Sequence, residues 1–187
     1  MSIKRRFRRV FFIAVILIVI ILILDNVAMS IYPVKYKNLV SKYSELYELD
    51  PYLVFSIIKV ESSFIPDAVS SKNARGLMQI TEKTGNWGAE QLKLTNYSSN
   101  ELFEPETNIK IGCWYLSVLY NEFGSTDLVL AAYNGGSGNV SKWLKDTNFS
   151  QDGKSLSRIP FKETDKYVKK VKNCYEIYKR LYESRIK

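Results

Sequence analysis

The sequence of 187 residues contains no histidine and only two cysteines, Cys113 and Cys174. Without histidine or a cysteine cluster, the chain lacks the usual ligands of a zinc site and cannot build a Ser-His or Cys-His catalytic pair. We therefore expect no metal and no other cofactor. An exported chain could join the two cysteines in a disulfide, but two small buried hydrophobic residues are the default interpretation.

The chain also lacks internal repeats and convincing strand-like alternation, and its composition is that of an ordinary globular protein. Its length suits one compact domain with appendages. Helical periodicity, together with capping residues, predicts an all-α or mostly α fold. The predicted helices cover residues 36–49, a segment from Pro51 after the N-cap Asp50, residues 105–123 before Gly124, 128–133 after Asp127, 140–145, and a segment from Thr164 onward. A short helix is predicted to start near 76–80 and to give way at Gly85 to irregular chain through Asn100.

A basic cluster precedes a long apolar run at the N-terminus. The cluster comprises Lys4, Arg5, Arg6, Arg8 and Arg9, and the run extends from Val10 to Leu24 without glycine or proline. This pattern predicts an export signal whose basic end stays in the cytoplasm. The run is shorter than the roughly 20 residues that usually span a bilayer, although Val27, Ala28, Met29 and Ile31 could extend it.

We therefore expect residues 1–30 to form a cytoplasmic basic segment and a single-pass transmembrane signal-anchor. Residues 31–187 would then form an extracytoplasmic domain. Ala28-Met29-Ser30 could instead be a cleavage site. In that alternative the domain would be secreted.

The formal net charge is +8, much of it from the N-terminal cluster and from the lysine-rich segment after Lys162. Basic surface can bind nucleic acid. An exported protein rarely meets nucleic acid, so we expect no such partner. A solvated helix face, with a weak bias towards anionic cell-envelope polymers, is the simpler interpretation.

Glu61 lies on the apolar face of its predicted helix. Val54, Ile57 and Ile58 precede it by seven, four and three positions, so the four side chains share one stripe. Desolvation disfavours a carboxylate, and a glutamate in such a place can hold its proton near neutral pH and donate it to a leaving group. The alternative is a glutamate at the edge of the stripe, paired with a basic residue.

Four ordered motifs resemble those of the soluble lytic transglycosylase family, which has a lysozyme-like catalytic domain. The resemblance covers approximately residues 36–180. The motifs are Glu61-Ser62-Ser63-Phe64, Gly76-Leu77-Met78-Gln79-Ile80, Ala131-Ala132-Tyr133-Asn134-Gly135-Gly136, and the segment 159–168 from Ile159-Pro160-Phe161 to Tyr167-Val168.

The resemblance implies a reaction and a set of roles. Glu61 would be the only catalytic acid and base. It would cleave the β-1,4 bond between N-acetylmuramic acid and N-acetylglucosamine in peptidoglycan and leave a 1,6-anhydro end. The residues implied to bind or orient the glutamate or the substrate are Ser62, Ser70, Met78, Gln79, Tyr133, Asn134 and Tyr167. Ser62 could instead cap its helix, Tyr133 and Tyr167 could be core aromatics, and Asn134 could be a C-cap.

The partners expected on this basis are peptidoglycan glycan strands, the membrane through the N-terminal helix, and an envelope or secretion machine. One alternative keeps the fold but hydrolyses the bond with a positioned water, as a goose-type muramidase does. That reaction would need a second acid, and none of the candidates belongs to a recognisable motif. They are Asp67, Glu82, Glu90, Glu101, Glu104 and Glu106. The other alternative is a non-catalytic, membrane-tethered peptidoglycan-binding protein.

Overall fold

The computed structural model describes residues 3–183, without the side chains of residues 3–7 and 9. The basic side chains predicted to stay in the cytoplasm therefore lie, except for Arg8, outside the described residues. The described chain contains eight α-helices: α1 (Ile3–Ile31), α2 (Lys37–Leu46), α3 (Pro51–Ser62), α4 (Glu82–Gln91), α5 (Pro105–Phe123), α6 (Thr126–Gly135), α7 (Ser137–Lys145) and α8 (Lys162–Tyr182). A 3₁₀ helix at Ser99–Phe103 precedes α5.

Residues 3–183 contain no β-strand, which confirms the all-α prediction. Their only β-type pairing is two isolated antiparallel bridges, Val69 with Arg75 and Arg75 with Ile80. These bridges shape the long loop between α3 and α4. The loop is thereby folded back on itself beside the end of α3.

Helix α3 lies at the centre of the helical domain and packs against α2 and α8, while α6 packs against α5, α7 and α8. The predicted N-cap is confirmed, because the Asp50 carboxylate accepts a hydrogen bond of 2.8 Å from the Tyr52 backbone N–H. Val54, Phe55 and Ile57 have no exposed surface. The helix that carries Glu61 is therefore largely buried in the core.

The structure corrects the prediction for residues 76–100. Residues 76–79 form turns and Ile80 forms a bridge, so this segment is not helical. Helix α4 begins after Thr81, whose side chain caps it, and runs through Gly85. A Cβ atom at Gly85 would collide with the Tyr97 hydroxyl, and one at Gly88 would press on Ile111. The two glycines are close-packing positions of a helix, so they do not end it.

The prediction for the N-cap of α6 is wrong, whereas the one for the two cysteines agrees with the structure. Ser125, not Asp127, is the N-cap of α6, because its side chain accepts from the Leu128 N–H. Cys113 and Cys174 are both buried and are not joined in a disulfide, as the default interpretation stated.

Helix α1 continues unbroken past Asp25 and Asn26, and Val10–Ile31 has a mean hydropathy of 3.1. None of the residues from Val10 to Ile31 is fully buried, although Met29 packs against the core. At 1.5 Å per residue, these 22 residues reach about 33 Å, close to the thickness of a bilayer core. The chain leaving α1 is held by the end of α8. The Tyr178 hydroxyl donates to the Pro33 carbonyl and the Tyr182 hydroxyl to the Tyr32 carbonyl, both at 2.8 Å.

Candidate active site

Glu61 occupies the last turn of α3, where the helix meets the α3–α4 loop. Val54, Ile57 and Ile58, on its own face, have no exposed surface, whereas Glu61 is partly exposed. The helix ends one residue later, at Ser62, because Ser63 adopts a left-handed conformation with φ of 52°. The carboxyl group therefore stands at the rim of the apolar core and faces a depression in the surface.

Burial raises the pKa of Glu61 from 4.5 to about 7. The Tyr167 hydroxyl and the Lys170 ammonium group both act in the opposite direction, because they favour the carboxylate. No salt bridge to Glu61 occurs within residues 3–183. Desolvation therefore prevails, and Glu61 can exchange a proton near neutral pH.

Tyr167 lies behind Glu61 on the second turn of α8, and only 8% of its surface is exposed. Its buried hydroxyl has no hydrogen-bond partner of standard geometry, yet it is close enough to Glu61 to lower the pKa of the carboxyl group. Burial and the nearby Glu61 charge raise the pKa of Tyr167 itself. The phenol therefore remains a neutral donor aimed at the carboxyl group.

A pocket of about 200 Å³ opens in front of Glu61. Its lining includes five of the eight residues singled out from the sequence: Glu61, Ser70, Gln79, Tyr133 and Asn134. The other lining residues are Ser71, Lys72, Ala74, Thr81 and Glu163. A larger cavity of about 320 Å³ lies elsewhere, lined by Asp50, Tyr120 and Tyr175 among others. The Glu61 pocket is distinguished by its side chains, not by its size.

Ser70 and Gln79 shape the loop wall of the pocket. The Ser70 hydroxyl oxygen accepts from the backbone N–H groups of Lys72 and Ala74, at 3.2 and 3.0 Å, so its own proton remains available to a ligand. The Gln79 amide nitrogen donates to the carbonyls of Ala68 and Gly76, at 3.0 and 2.9 Å. Because both amide protons are used, the Gln79 side chain offers the pocket its carbonyl oxygen.

Tyr133 and Asn134 form the opposite wall, near the end of α6. The Tyr133 hydroxyl donates to the Met78 carbonyl at 2.8 Å, which ties α6 to the loop. The Thr164 hydroxyl donates to the Asn134 side-chain oxygen at 2.9 Å. This bond orients the amide and leaves its NH₂ group free to donate to a ligand in the pocket.

Ser62 and Met78 do not lie where the resemblance suggested. The Ser62 hydroxyl is buried and hydrogen-bonded to the Leu77 carbonyl at 2.7 Å, so it fixes the loop and does not touch the pocket. The Met78 side chain has no exposed surface and packs over Gly112, where any Cβ atom would overlap its sulfur. Only the backbone of Met78 serves the site, through its bond to Tyr133.

Asn108, which the sequence reasoning missed, organises the same loop from below. This fully buried side chain donates to the carbonyls of Arg75 and Leu102, at 2.9 and 2.7 Å, and accepts from the Met78 N–H at 2.7 Å. Gly76, with φ of 76°, passes so close that a Cβ atom would collide with Asn108. The available signal was an asparagine in the first turns of an otherwise apolar helix.

Glu163 and Lys72 were also missed, and they face each other across the mouth of the pocket. Their charged groups are 3.7 Å apart, and both side chains are about three-quarters exposed. Such an exposed pair contributes little to stability. None of the six acids considered as a second carboxylate lines the pocket, so Glu163 is the only other acid there.

Comparison with known proteins gives a consistent family. The family model described as Transglycosylase SLT domain matches residues 38–156. The soluble lytic murein transglycosylase of Escherichia coli (strain K12) is 36% identical over 154 residues, which cover 81% of this chain and 24% of that protein. The membrane-bound lytic murein transglycosylase C of Serratia proteamaculans (strain 568) is 33% identical over 168 residues, covering 78% and 47%.

Among solved structures, an inactive glutamate-to-glutamine mutant of lytic transglycosylase Slt from Pseudomonas aeruginosa superposes with a TM-score of 0.73. It is 31% identical, and the match covers 82% of this chain and 25% of that one. This likeness confirms the expected lysozyme-like fold. The chain spans about a quarter of the soluble relatives and about half of the membrane-bound one.

Proposed function

The chain belongs to the transglycosylase SLT domain family, and from this premise we propose that residues 31–187 form a peptidoglycan lytic transglycosylase domain. It would cleave the β-1,4 bond between N-acetylmuramic acid and N-acetylglucosamine and leave 1,6-anhydro-N-acetylmuramic acid ends. One observation carries the proposal. A single glutamate with a pKa raised to about 7 lies in a pocket between two walls of neutral polar side chains.

In the first step, Glu61 acts as an acid. Its carboxyl proton passes to the glycosidic oxygen, the bond from that oxygen to C1 of the muramic acid breaks, and N-acetylglucosamine leaves as the 4-hydroxyl sugar. The raised pKa supports this role because a substantial fraction of Glu61 is protonated at neutral pH. The acetamido carbonyl of the muramic acid stabilises the positive charge that develops at C1.

In the second step, the Glu61 carboxylate acts as a base. It accepts the proton of the muramic acid C6 hydroxyl while O6 bonds to C1, which closes the anhydro ring and returns the carboxyl group to its starting state. No water is consumed, so no second carboxylate is needed to activate one. This fits a pocket whose other acid, Glu163, is exposed and paired with Lys72.

The pocket walls suit binding and orientation. The Asn134 NH₂ group and the Ser70 hydroxyl can donate to sugar oxygens, and the Gln79 carbonyl can accept from a sugar hydroxyl. Tyr133 offers a ring for an apolar sugar face. Tyr167 does not line the pocket and would tune the proton affinity of Glu61 from behind.

The test is product analysis on purified peptidoglycan with the full chain in detergent. The expected soluble muropeptides carry anhydro ends, which mass spectrometry detects because they are lighter by one water than hydrolysed ends. Glu61→Gln should abolish release, as a glutamate-to-glutamine change inactivates the Pseudomonas aeruginosa relative. Glu90→Gln, on an exposed face of α4, is the matched control and should retain activity.

The other outcomes separate the alternatives. Reducing ends without anhydro sugar would establish a muramidase, and retained glycan binding without cleavage by the unmutated chain would establish a binding protein. Glu163→Gln adds a second check on the single-acid mechanism. If it removed cleavage as completely as Glu61→Gln, a second carboxylate would share the chemistry.

We also propose that residues 1–30 place the domain at the membrane, with α1 as a single-pass anchor and the body on the extracytoplasmic side. The apolar length of Val10–Ile31 and the name of the membrane-bound relative support this location. Intact mass measurement of the chain isolated from membranes tests it. An N-terminus starting near residue 31 in the soluble fraction would show instead that the signal is cleaved.

A further inference from the structure

An aromatic row, defined here as Tyr133, Tyr115 and Trp87, leads away from the pocket along three successive helices. Tyr133 lies on α6 and lines the pocket, Tyr115 lies on α5, and Trp87 lies on α4. The ring centroids of Tyr133 and Tyr115 are 5.7 Å apart, and those of Tyr115 and Trp87 are 6.2 Å apart. Each spacing is comparable with the length of one pyranose residue in a β-1,4 chain.

Trp87 is unusually exposed for a tryptophan. It is 42% exposed, whereas Trp114 and Trp143 are 9% and 7% exposed. Its contacts with Trp114 and Tyr115 are nearly perpendicular, with interplanar angles of 77° and 75°, so neither ring stacks in parallel on the indole. These contacts leave part of the apolar surface of the indole in solvent.

Helix α4 connects the exposed surface of Trp87 with the Glu61 pocket. Thr81, the N-cap of α4, lines the pocket, and Trp87 lies less than two turns further along that helix. Gly88, beside it, lets α4 approach α5 closely enough for the indole to meet Trp114. The tryptophan is thus held rigidly by two packed helices, as a binding platform requires.

The chemistry of such a platform fits a glycan. The C–H groups on one face of a pyranose ring are apolar and slightly positive, and they pack against the negative face of an aromatic ring. We propose that Trp87 is a glycan-binding residue that, with Tyr115, extends the Glu61 pocket and receives a sugar residue of the same strand beyond the cleaved bond. This inference rests on the proposed function and adds a subsite to it.

Binding of oligomers of different length provides the test. The full chain carrying Glu61→Gln, which prevents cleavage, is titrated in detergent with β-1,4 oligomers of N-acetylglucosamine from the dimer to the hexamer. Affinity should rise with length. Trp87→Ala should remove about three- to tenfold of the affinity for the longer oligomers and leave the dimer unchanged, since one aromatic contact contributes on this scale.

Fluorescence gives a second measurement. Because the other two tryptophans are buried, iodide should quench mainly Trp87. The hexamer should protect it and the dimer should not. Trp87→Phe should retain most of the affinity for long oligomers. Tyr120→Ala, which truncates a partly exposed aromatic of α5 facing the separate 320 Å³ cavity, is the matched control and should bind normally.

Three results would overturn the platform. The first is that Trp87→Ala and its Glu61→Gln parent bind oligomers of every length with equal affinity. The second is that Trp87→Ala loses the same affinity at every length, including the dimer. The third is that the Glu61→Gln parent binds no oligomer. The second result would mean that Trp87 only supports the fold around Tyr133. Normal length-dependent binding without anhydro products from the unmutated chain would instead contradict the proposed reaction and leave the subsite intact.

Discussion

Replacement of Glu61 by glutamine should stabilise the protein in a pH-dependent way. In the unfolded chain the carboxyl group has its ordinary pKa of 4.5, whereas burial raises the pKa to about 7 in the folded protein. Between these values the folded state binds more protons than the unfolded state, so the free energy of unfolding must fall as pH rises. Glutamine resembles the protonated glutamate in shape and carries no charge, so it removes this dependence.

The size of the effect follows from the two pKa values. The difference between 4.5 and about 7 corresponds to about 3 kcal/mol, at about 1.4 kcal/mol per pH unit. Below pH 4 the variant and the parent should be about equally stable. Above pH 8 the variant should be more stable by about 3 kcal/mol.

Urea unfolding of the full chain in neutral detergent, measured from pH 4 to pH 9, provides the assay. Glu90→Gln is the control, because it makes the same chemical change at an exposed position of α4, outside the pocket. A stability difference for Glu61→Gln that is the same at pH 5 and pH 8 would refute desolvation as the source of the raised pKa. A Glu61→Gln protein less stable than its parent at pH 8 would contradict the argument more directly.

Three further predictions concern the groups around the carboxyl. Tyr167→Phe removes a hydroxyl that favours the Glu61 carboxylate, so the pKa of Glu61 should rise. In a pH–rate profile, the loss of activity at high pH should therefore move upward by as much as about one pH unit. An unchanged profile would show that the phenol does not act on Glu61. Asn108→Ala leaves the Leu102 carbonyl and the Met78 N–H without their partner, at about 1–3 kcal/mol per buried group, whereas the Arg75 carbonyl keeps its bond from the Ile80 N–H. Urea unfolding should therefore show a loss of at least about 2 kcal/mol, and a loss below about 1 kcal/mol would mean that the loop bonds are not needed. Thr164→Val removes the donor that orients Asn134, so muropeptide release should slow about tenfold without a matching loss of stability. Unchanged release would mean that Asn134 is not one of the residues that bind the substrate.

The sequence predicted the parts of the fold that depend on local signals. Asp50 before Pro51 marked the start of α3, Pro105 and Gly124 bounded α5, and the apolar stripe identified the glutamate whose pKa is raised. Each of these features depends on residues within about two turns of one helix. Such signals can be recognised in a sequence without knowledge of distant contacts.

The features that were missed depend on contacts between distant segments. In the sequence, Gly85 was interpreted as the end of a helix. Only its close contact with Tyr97 explains why α4 continues through it. Ser62 was expected at the site, but its hydroxyl donates a hydrogen bond to the Leu77 carbonyl instead. Met78 was expected in the cleft, but Gly112, 34 residues later, provides a place for it in the core.

The two hydrogen bonds between the end of α8 and the chain that follows α1 restrict how the domain can move relative to α1. Tyr178 and Tyr182 hold the backbone at Pro33 and Tyr32, so the first residues after α1 do not act as a free tether. With α1 in a bilayer as proposed, the domain would keep one orientation, and its cutting group would work at one fixed height over the lipid surface. Only strands that pass through that thin layer of the wall would come within its reach.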